Sequence, residues 1–447
     1  MNIVALDPYN VLVVLLIFIL TYIGIIHNSI DKTIAAVLGG LTASISIVYL
    51  NVTDPHTGLP ATEESLIHFE DLRIIGLIFG TLLMVEVSQE AGVFHFISVK
   101  ILKMTKGDPK KLLRYFGGLT MLLSALVNNI SAIMIVGSLT VIACERLELD
   151  PKPYIITELS MTTVGGTMTL ISSVPNIIIS DTFGIGFGTF FIIGTPFAII
   201  AMFANFAVFE WLFRKQIPKP KDPKINAEKV NEFDPWGAVK DKKLFYQSII
   251  ILNTTILGFV FSQQLGLSLA LIAITGGTVM VLVSGKKLDD VMSKLDWGLI
   301  AFFLGLFVLI AALNIVDVLN YTAEKLSEIL PHNSVISAII ILLFVSLISA
   351  IVDNIVVAAA FGPILLSVAT TSGLSADLLA WATIFGANFG GGLTPIGAPS
   401  AVVGLSILYK KTGKKVGWGE FIKTQGLATI IRLILCSFYL ILLGFIL

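Results

Sequence analysis

Charge is what this chain has least of. Charged residues occupy 13% of its 447 positions, against about 25% in a soluble domain. Too little charge is present to cover a surface in water, so lipid must be the solvent. The 55% of hydrophobic residues gather into many segments that reach the ~20 residues needed to cross hydrocarbon. Cysteine is almost missing. Cys144 and Cys436 stand alone near the ends of apolar segments, which excludes a disulfide framework or a thiolate metal cluster. The five histidines are scattered without metal-ligand spacing. No Ser-His-Asp arrangement, phosphate loop or His-Glu-x-x-His pattern occurs, so nothing supports an enzyme or a resident cofactor. A net charge of −1 leaves no basic footprint for nucleic acid. Met1 to Asn10 has no basic leader region. The first apolar run, Val11 to Ile26, is longer than a signal core and has no small-residue cleavage site, so it reads as a retained span.

What the chain does have is a duplication. Ser124-Ala125-Leu126-Val127-Asn128-Asn129-Ile130 returns 225 residues later as Ser349-Ala350-Ile351-Val352-Asp353-Asn354-Ile355. Asp71 and Gly80 meet Asp296 and Gly305 at the same shift, and Gly165-Gly166 with Thr169 meets Gly390-Gly391 with Thr394. A constant shift over about a hundred residues of a very apolar chain points to a transporter built from two repeats.

The expected fold class is an all-α polytopic membrane protein with two inverted-topology repeats. It has about ten transmembrane helices, two re-entrant helical hairpins and two broken helices. The first repeat covers 1–213. It holds scaffold spans within 11–90, a hairpin at 115–144, a broken span at 153–180 and a span at 189–213. A cytoplasmic linker covers 214–243, with Pro218, Pro220, Pro223 and mixed charges. The second repeat covers 244–447, with spans within 245–316, a hairpin at 334–373, a broken span at 376–407 and a span at 419–446. Each hairpin is too long for one span and too short for two. Its polar middle, Asn128-Asn129 or Asp353-Asn354, leaves arms of ~13–18 residues, ~20–27 Å of helix, which suits a tip that stops inside the membrane.

Charge orients this layout. If the segments 28–32, 98–115, 145–153, 214–244, 286–296 and 408–418 are cytoplasmic, they hold 25 of the 29 Lys and Arg residues, as the positive-inside rule requires. The 51–71 loop on the other side has Asp54, Glu63, Glu64, Glu70 and Asp71 and no Lys or Arg. Both termini then lie outside the cell membrane. Asp71 falls outside and its mate Asp296 inside, so the repeats are antiparallel.

The chemistry is expected at the breaks. Gly165 to Asn176 in the first repeat and Gly386 to Ser400 in the second combine glycines with prolines, at about 1 and 3 kcal/mol of helix destabilisation per residue. Unwound backbone at mid-membrane is tolerated only when buried in protein or lining a watery cavity. There its carbonyls and the Ser, Thr and Asn side chains offer ligands to cations, and helix N-termini offer amides to anions. Asp353 is the sharpest residue, because a carboxylate deep in a membrane costs about 3 kcal/mol on insertion scales and faces a pathway or partner. It is read both as a coupling site for H+ or Na+ and as the N-cap of the returning hairpin helix, a role Asn128 shares. Glu86 and Glu90 read as a buried pair, an interfacial placement or a proton relay. Glu158, soon after Pro153, reads as interfacial, with a relay role as the alternative. Arg432 reads as a paired, snorkelling or substrate-facing cation, and Asp181 as lying at the outer mouth.

At these residues the chain resembles the ion transporter superfamily. Thr169-Leu170-Ile171-Ser172-Ser173-Val174-Pro175-Asn176-Ile177-Ile178 is similar to its T-L-I-G-x-P-P-N-I-I signature. Gly386-Ala387-Asn388-Phe389-Gly390-Gly391 followed by Leu393-Thr394-Pro395-Ile396-Gly397-Ala398 is similar to the G-A-N-x-G-G-N-x-T-P-I-G-A signature of the arsenite-permease branch. Val85-Glu86 and Glu90-Ala91-Gly92-Val93-Phe94 resemble that branch too. The sequence departs from these patterns at Ser173-Val174, at Gly392 and at Asn128, where several relatives have Asp. The superfamily also takes in sodium/proton antiporters, the melanosomal P protein and citrate or dicarboxylate carriers. The resemblance implies a homodimer held by the scaffold spans, with hairpins and broken spans moving as an elevator. It places ion and substrate sites at Asn128, Asn129, Thr169, Ser172, Ser173, Asn176, Asp353, Asn354, Asn388, Thr394 and Ser400, with Na+ at Asp353, Asn354 and Thr394. The expected function is secondary active transport of a small inorganic ion or oxyanion coupled to H+ or Na+, as in arsenite export or cation/proton antiport. A di- or tricarboxylate carrier is the alternative. A passive channel, or a membrane enzyme using Asp353 and Glu158, represents the other classes.

Overall fold

The computed structural model describes residues 8–26, 30–54, 58–66, 69–219, 222–413 and 415–446. Both chain ends, on which the expectation for the termini falls, lie outside these residues. The side chain of Asp71 also lies outside them. Among the described residues the regular elements are helices, apart from an isolated bridge between Thr53 and Pro60.

The first half runs α1 (Pro8–Ile26), α2 (Lys32–Tyr49), α3 (Phe69–Glu90), α4 (Val93–Thr105), α5 (Pro109–Leu126), α6 (Asn129–Leu147), α7 (Lys152–Gly165), α8 (Val174–Phe183) and α9 (Phe187–Leu212). After the linker helix α10 (Pro223–Asn231) come α11 (Lys242–Val260), α12 (Ser262–Leu265), α13 (Leu269–Ser284), α14 (Leu288–Met292) and α15 (Trp297–Ile315). The chain continues with α16 (Val318–Ile329), α17 (Ser334–Ser349), α18 (Asn354–Ser372), α19 (Ala376–Gly391), α20 (Pro399–Thr412) and α21 (Trp418–Leu443). Nine of the described helices are long and apolar enough to cross a membrane: α1, α2, α3, α6, α9, α11, α15, α18 and α21.

The 225-residue shift carries over from sequence to helix boundaries. Helix α6 begins at Asn129 and ends at Leu147, and α18 begins at Asn354 and ends at Ser372. Helices α4 and α16 also fall in register. Each begins after a left-handed residue, Gly92 at φ 80° and Asp317 at φ 57°. Neither helix was foreseen. Helix α16 buries Leu319 and Ala323, and Leu326 packs beside them, which is the spacing of a narrow apolar stripe. It meets α17 at a bend of 119°. The hairpin arms, of 16 to 19 residues, are longer than their apolar cores suggested. Lys110, Lys111 and Arg114 in the first turns of α5 account for the extra length there.

Helix α3 and its mate α15 run in opposite directions. Leu66, just before α3, packs with Leu313 and Ile315 at the end of α15. Phe79, further along α3, lies 6.2 Å from Trp297 at the start of α15. Glu90 at the end of α3 pairs with Lys286 and Lys294, which precede α15. Helices α3 and α13 pack together, and α15 packs on α2, each through glycines. A Cβ on Gly80 would sit 2.3 Å from the backbone of Ala273, and one on Gly305 would sit 2.5 Å from the Ala36 carbonyl oxygen. Between helices in lipid, where burial from water drives nothing, such backbone approach is the main source of packing energy.

Gly305→Val and Gly80→Val should therefore each cost about 1–3 kcal/mol or more of stability through overpacking. Gly118→Ala, whose Cβ meets nothing within 4 Å, should cost nothing. Thermal unfolding in detergent tests this, and equal melting temperatures for all three variants would refute the glycine crossings.

Candidate functional site

Each broken span is stapled to the hairpin before it in the same way. Thr169 Oγ1 donates to the Ala125 carbonyl at 2.6 Å, and its mate Thr394 donates to the Ala350 carbonyl at 2.5 Å. Ser124 Oγ lies 2.8 Å from the Thr162 carbonyl, and Ser349 Oγ donates to the Ala387 carbonyl at 2.7 Å. Glycine lets the elements touch. A Cβ at Gly165 would fall 2.3 Å from the Met121 carbonyl oxygen, and at Gly390 2.2 Å from that of Ser346. These hydroxyl bonds satisfy carbonyls that the breaks would otherwise leave empty in lipid.

The first break is then closed from within. Asn176 Nδ2 donates to the carbonyls of Gly166 at 2.6 Å and Thr169 at 3.0 Å, and Ser172 Oγ donates to the Gly166 carbonyl at 2.8 Å. Asn388 Nδ2 reaches across from α19 to Asn176 Oδ1 at 2.8 Å, so one amide pair links the two breaks. Asn388 Oδ1 is buried without a partner.

In front of this network lies a cavity of about 490 Å³. Asn128 and Asn129 from one tip and Asn354 from the other line it, with Ser172 and Ser173 from the first break and Ser400 from the second. The wall opposite comes from the scaffold: Asp31, Lys32 and Thr33 at the start of α2, Leu82 of α3, and Asp296, Gly298 and Leu299 at the start of α15. Helices α2, α6, α8, α15, α18 and α20 all direct their N-terminal ends at it. Four of these ends are capped by side chains, those of Asp31, Asn128, Asp296 and Asp353. Helices α8 and α20 have no side-chain cap. The backbone N–H groups of Thr33 and Ile34 hold the Asp31 carboxyl below the usual carboxylate range.

Of the two readings of Asp353, the N-cap is the one seen in the structure. Its Oδ1 accepts from the Ile355 N–H at 3.0 Å as an N-cap. Its Oδ2 lies 3.1 Å from Lys32 Nζ of the scaffold, with the two side chains 12% and 36% exposed. Asn128 caps α6 through the Ser131 N–H at 2.8 Å. Asn129 accepts from Ser124 Oγ. Ser173, Asn354 and Ser400 make no side-chain hydrogen bond among the described residues, which leaves their polar atoms for a ligand. Thr169, Asn176, Asn388 and Thr394 stand behind the cavity wall as structural ties. The three residues grouped for Na+ point three ways: Asp353 to Lys32, Asn354 toward the cavity and Thr394 to the Ala350 carbonyl. Among the described residues no group of three or more His, Cys, Asp or Glu forms a metal cluster.

Other charges sit differently from their sequence readings. Glu158 is buried, at 1% exposure, and not interfacial, because α7 is enclosed from Pro153 to Gly165. Its Oε1 accepts from Thr140 and its Oε2 has no partner. Glu158 and Glu86 are not among the residues lining the cavity. Arg432 pairs with no carboxylate. It donates to Ser160 and Thr163 of α7 and to Thr429, and its guanidinium lies 5.0 Å from the Phe389 ring. Lys32 was missed altogether. Its one sequence signal is a lone cation at the mouth of a span.

An all-helical chain with nine described helices long and apolar enough to cross a membrane, and with a cavity lined from both halves, has the build of a membrane protein, and its family makes it a membrane transporter. The family described as Citrate transporter (CitMHS) matches residues 13–386, and the chain belongs to it. Among curated proteins it is 28% identical to the 46 kDa membrane protein of Mycobacterium leprae over 426 residues, 95% of this chain and 96% of that one. It is 25% identical to the human P protein, over 86% of this chain and 54% of that protein. Of solved structures, the Alcanivorax borkumensis YdaH transporter aligns with a TM-score of 0.61 at 15% identity, over 92% of this chain and 98% of that one. Neisseria gonorrhoeae MtrF, described among antimetabolite efflux pumps, aligns with 0.63 at 16%, over 95% and 97%. At these identities the two structures share the fold alone.

The two contacts of Asp353, cap and ion pair, separate by mutation. Asp353→Asn keeps an N-capping oxygen and loses only a partly exposed ion pair, worth about 0.2–1 kcal/mol. Asp353→Ala loses the cap as well, a further ~1 kcal/mol. Thermal unfolding in detergent should rank wild type, Asn, then Ala, and an Ala variant as stable as the Asn variant would remove the capping role.

Proposed function

We propose that this transporter is a secondary active carrier working by alternating access, moving a small oxyanion or carboxylate together with a coupling H+ or Na+. One observation carries the reading. Both hairpin tips and both breaks converge on a single cavity, and two uncapped helix N-termini, those of α8 and α20, face into it beside Ser173 and Ser400. The N–H groups of Val174 in α8 and Ser400 in α20, the first-turn amides beside Pro175 and Pro399, favour an anion. The carboxylate of Asp353, next to the lining residue Asn354 and paired with the lining residue Lys32, supplies the negative charge that a coupling cation needs. The hairpins and α7, α8, α19 and α20 form the moving part, and α1–α3 with α11–α15 form the scaffold. On the orientation that the Lys and Arg distribution favours, the cavity faces the cytoplasm, since Asp31, Lys32 and Asp296 lie at its wall.

The family's description as citrate transporters favours a citrate-like carboxylate within this class. Cation/proton antiport without an anion is the second reading, and Asp353 alone supports it. Reconstituted protein should accumulate one of arsenite, silicic acid, citrate or succinate in liposomes when a proton or Na+ gradient is applied. Asp353→Asn should abolish that coupled flux while the protein stays folded. Undiminished coupling in this variant would end the role of Asp353, and equal flux with no gradient applied would favour a channel.

A further inference from the structure

Lys32–Asp353 is an ion pair that joins the moving part to the scaffold beside the cavity. Lys32 Nζ sits 3.1 Å from Asp353 Oδ2 and 5.5 Å from the centre of the buried Phe302 ring on α15. The oxygen that Lys32 takes is the one the N-cap leaves free. A coupling cation would need that same oxygen. The remaining charged groups at the cavity wall are Asp31 and Asp296, both engaged as caps of scaffold helices. The residues from the first hairpin tip and from the two breaks are neutral: Asn128, Asn129, Ser172, Ser173 and Ser400.

The pair is matched asymmetrically between the repeats. Gly39-Gly40 of α2 correspond to Gly276-Gly277 of α13, so Lys32 corresponds to Leu269. At the tips Asp353 corresponds to Asn128. The pair that the exchanged arrangement of the two repeats would form is therefore Leu269 with Asn128, and it carries no charge. On this correspondence the ammonium would meet the carboxylate only in the conformation seen here, with the cavity open beside the N-termini of α2 and α15.

We propose that Lys32 is a tethered competitor for the coupling cation, one that occupies Asp353 when the cavity is open on this side and drives the cation off there. This rests on Asp353 being the coupling site. When the cation arrives, the ammonium swings to the cavity edge, where its partial exposure keeps it hydrated. When the cation leaves, the carboxylate is not left bare. The result is weaker cation binding on this side than on the other.

The test is thermal unfolding of the purified protein in detergent. NaCl or LiCl is titrated against choline chloride at constant ionic strength, and a separate pH series is run. Wild type should be stabilised by the coupling cation. Lys32→Gln should reach half-maximal stabilisation at about tenfold lower cation, the effect of removing a neighbouring opposite charge. Lys32→Arg should behave as wild type, and Asp353→Asn should lose the response. If Lys32→Gln keeps the wild-type midpoint while Asp353→Asn loses the response, the competitor role is wrong and the coupling site stands. If Asp353→Asn still responds, or wild type responds to none of Na+, Li+ and protons, the coupling site fails and the proposal with it.

Discussion

Everything at the centre of this protein depends on satisfying backbone polar groups where there is no water. Each free N–H or C=O in hydrocarbon costs several kcal/mol, yet a carrier needs unwound backbone to make a site. The two threonine bonds, Thr169 to Ala125 and Thr394 to Ala350, meet that constraint. They tie each break to the carbonyl end of the hairpin arm beside it, so tip and break behave as one body. The close approach at Gly165 and Gly390 brings those carbonyls within reach. Without the glycines the hydroxyls would not span the gap, and the breaks would need water or a ligand to exist at all.

Symmetry governs this frame, and the contents of the site break it. Staples, hairpin boundaries and scaffold glycine crossings all recur at fixed shifts. The polar groups that fill the breaks do not. Asn176, Ser172 and Ser173 stand where the second repeat has Ala401, Gly397 and Ala398. Asn388 stands where the first has Thr163, and Asp353 where it has Asn128. The first break is filled by its own side chains, and the second is left bare beside the only tip carboxylate. A duplicated scaffold can invert between two states without distinguishing them; under the proposed alternating access, unequal contents would give the two states different affinities.

Much of this was legible. Clustered Gly and Pro marked the breaks because they destabilise helix locally, and the polar pairs Asn128-Asn129 and Asp353-Asn354 marked the tips because nothing else explains them in an apolar run. Capping by Asn128 and Asp353 was readable from residue type alone. What escaped were facts set by distant contacts. Glu158 looked interfacial because it follows Pro153 closely, but enclosure of α7 by the hairpin arms and α21 buries it. Arg432 suggested a carboxylate partner, yet its donors are spread over the hydroxyls of Ser160, Thr163 and Thr429 and a carbonyl of α7. Helices α4 and α16 were hidden because they lie between apolar segments and carry only a narrow stripe. Lys32 gained meaning only from a partner 321 positions away.

Lys32 also shows why the scaffold cannot be treated as passive. A carboxylate on a moving tip must be neutralised in every state it occupies. In the proposed mechanism a cation does this in the loaded carrier. Among the described residues the hairpins and breaks bring no basic side chain to the cavity, so in the proposed unloaded carrier the charge has to come from the scaffold. The start of α2 is suited to that task. Asp31 fixes the helix end by capping Thr33 and Ile34, Thr33 ties it to the Gly298 carbonyl of α15 at 3.1 Å, and the Gly40–Gly305 crossing locks the two helices below. A flexible cation held on so rigid a base would stay with the scaffold if the tip departs as proposed, and its partnership with Asp353 would then report which way the cavity faces.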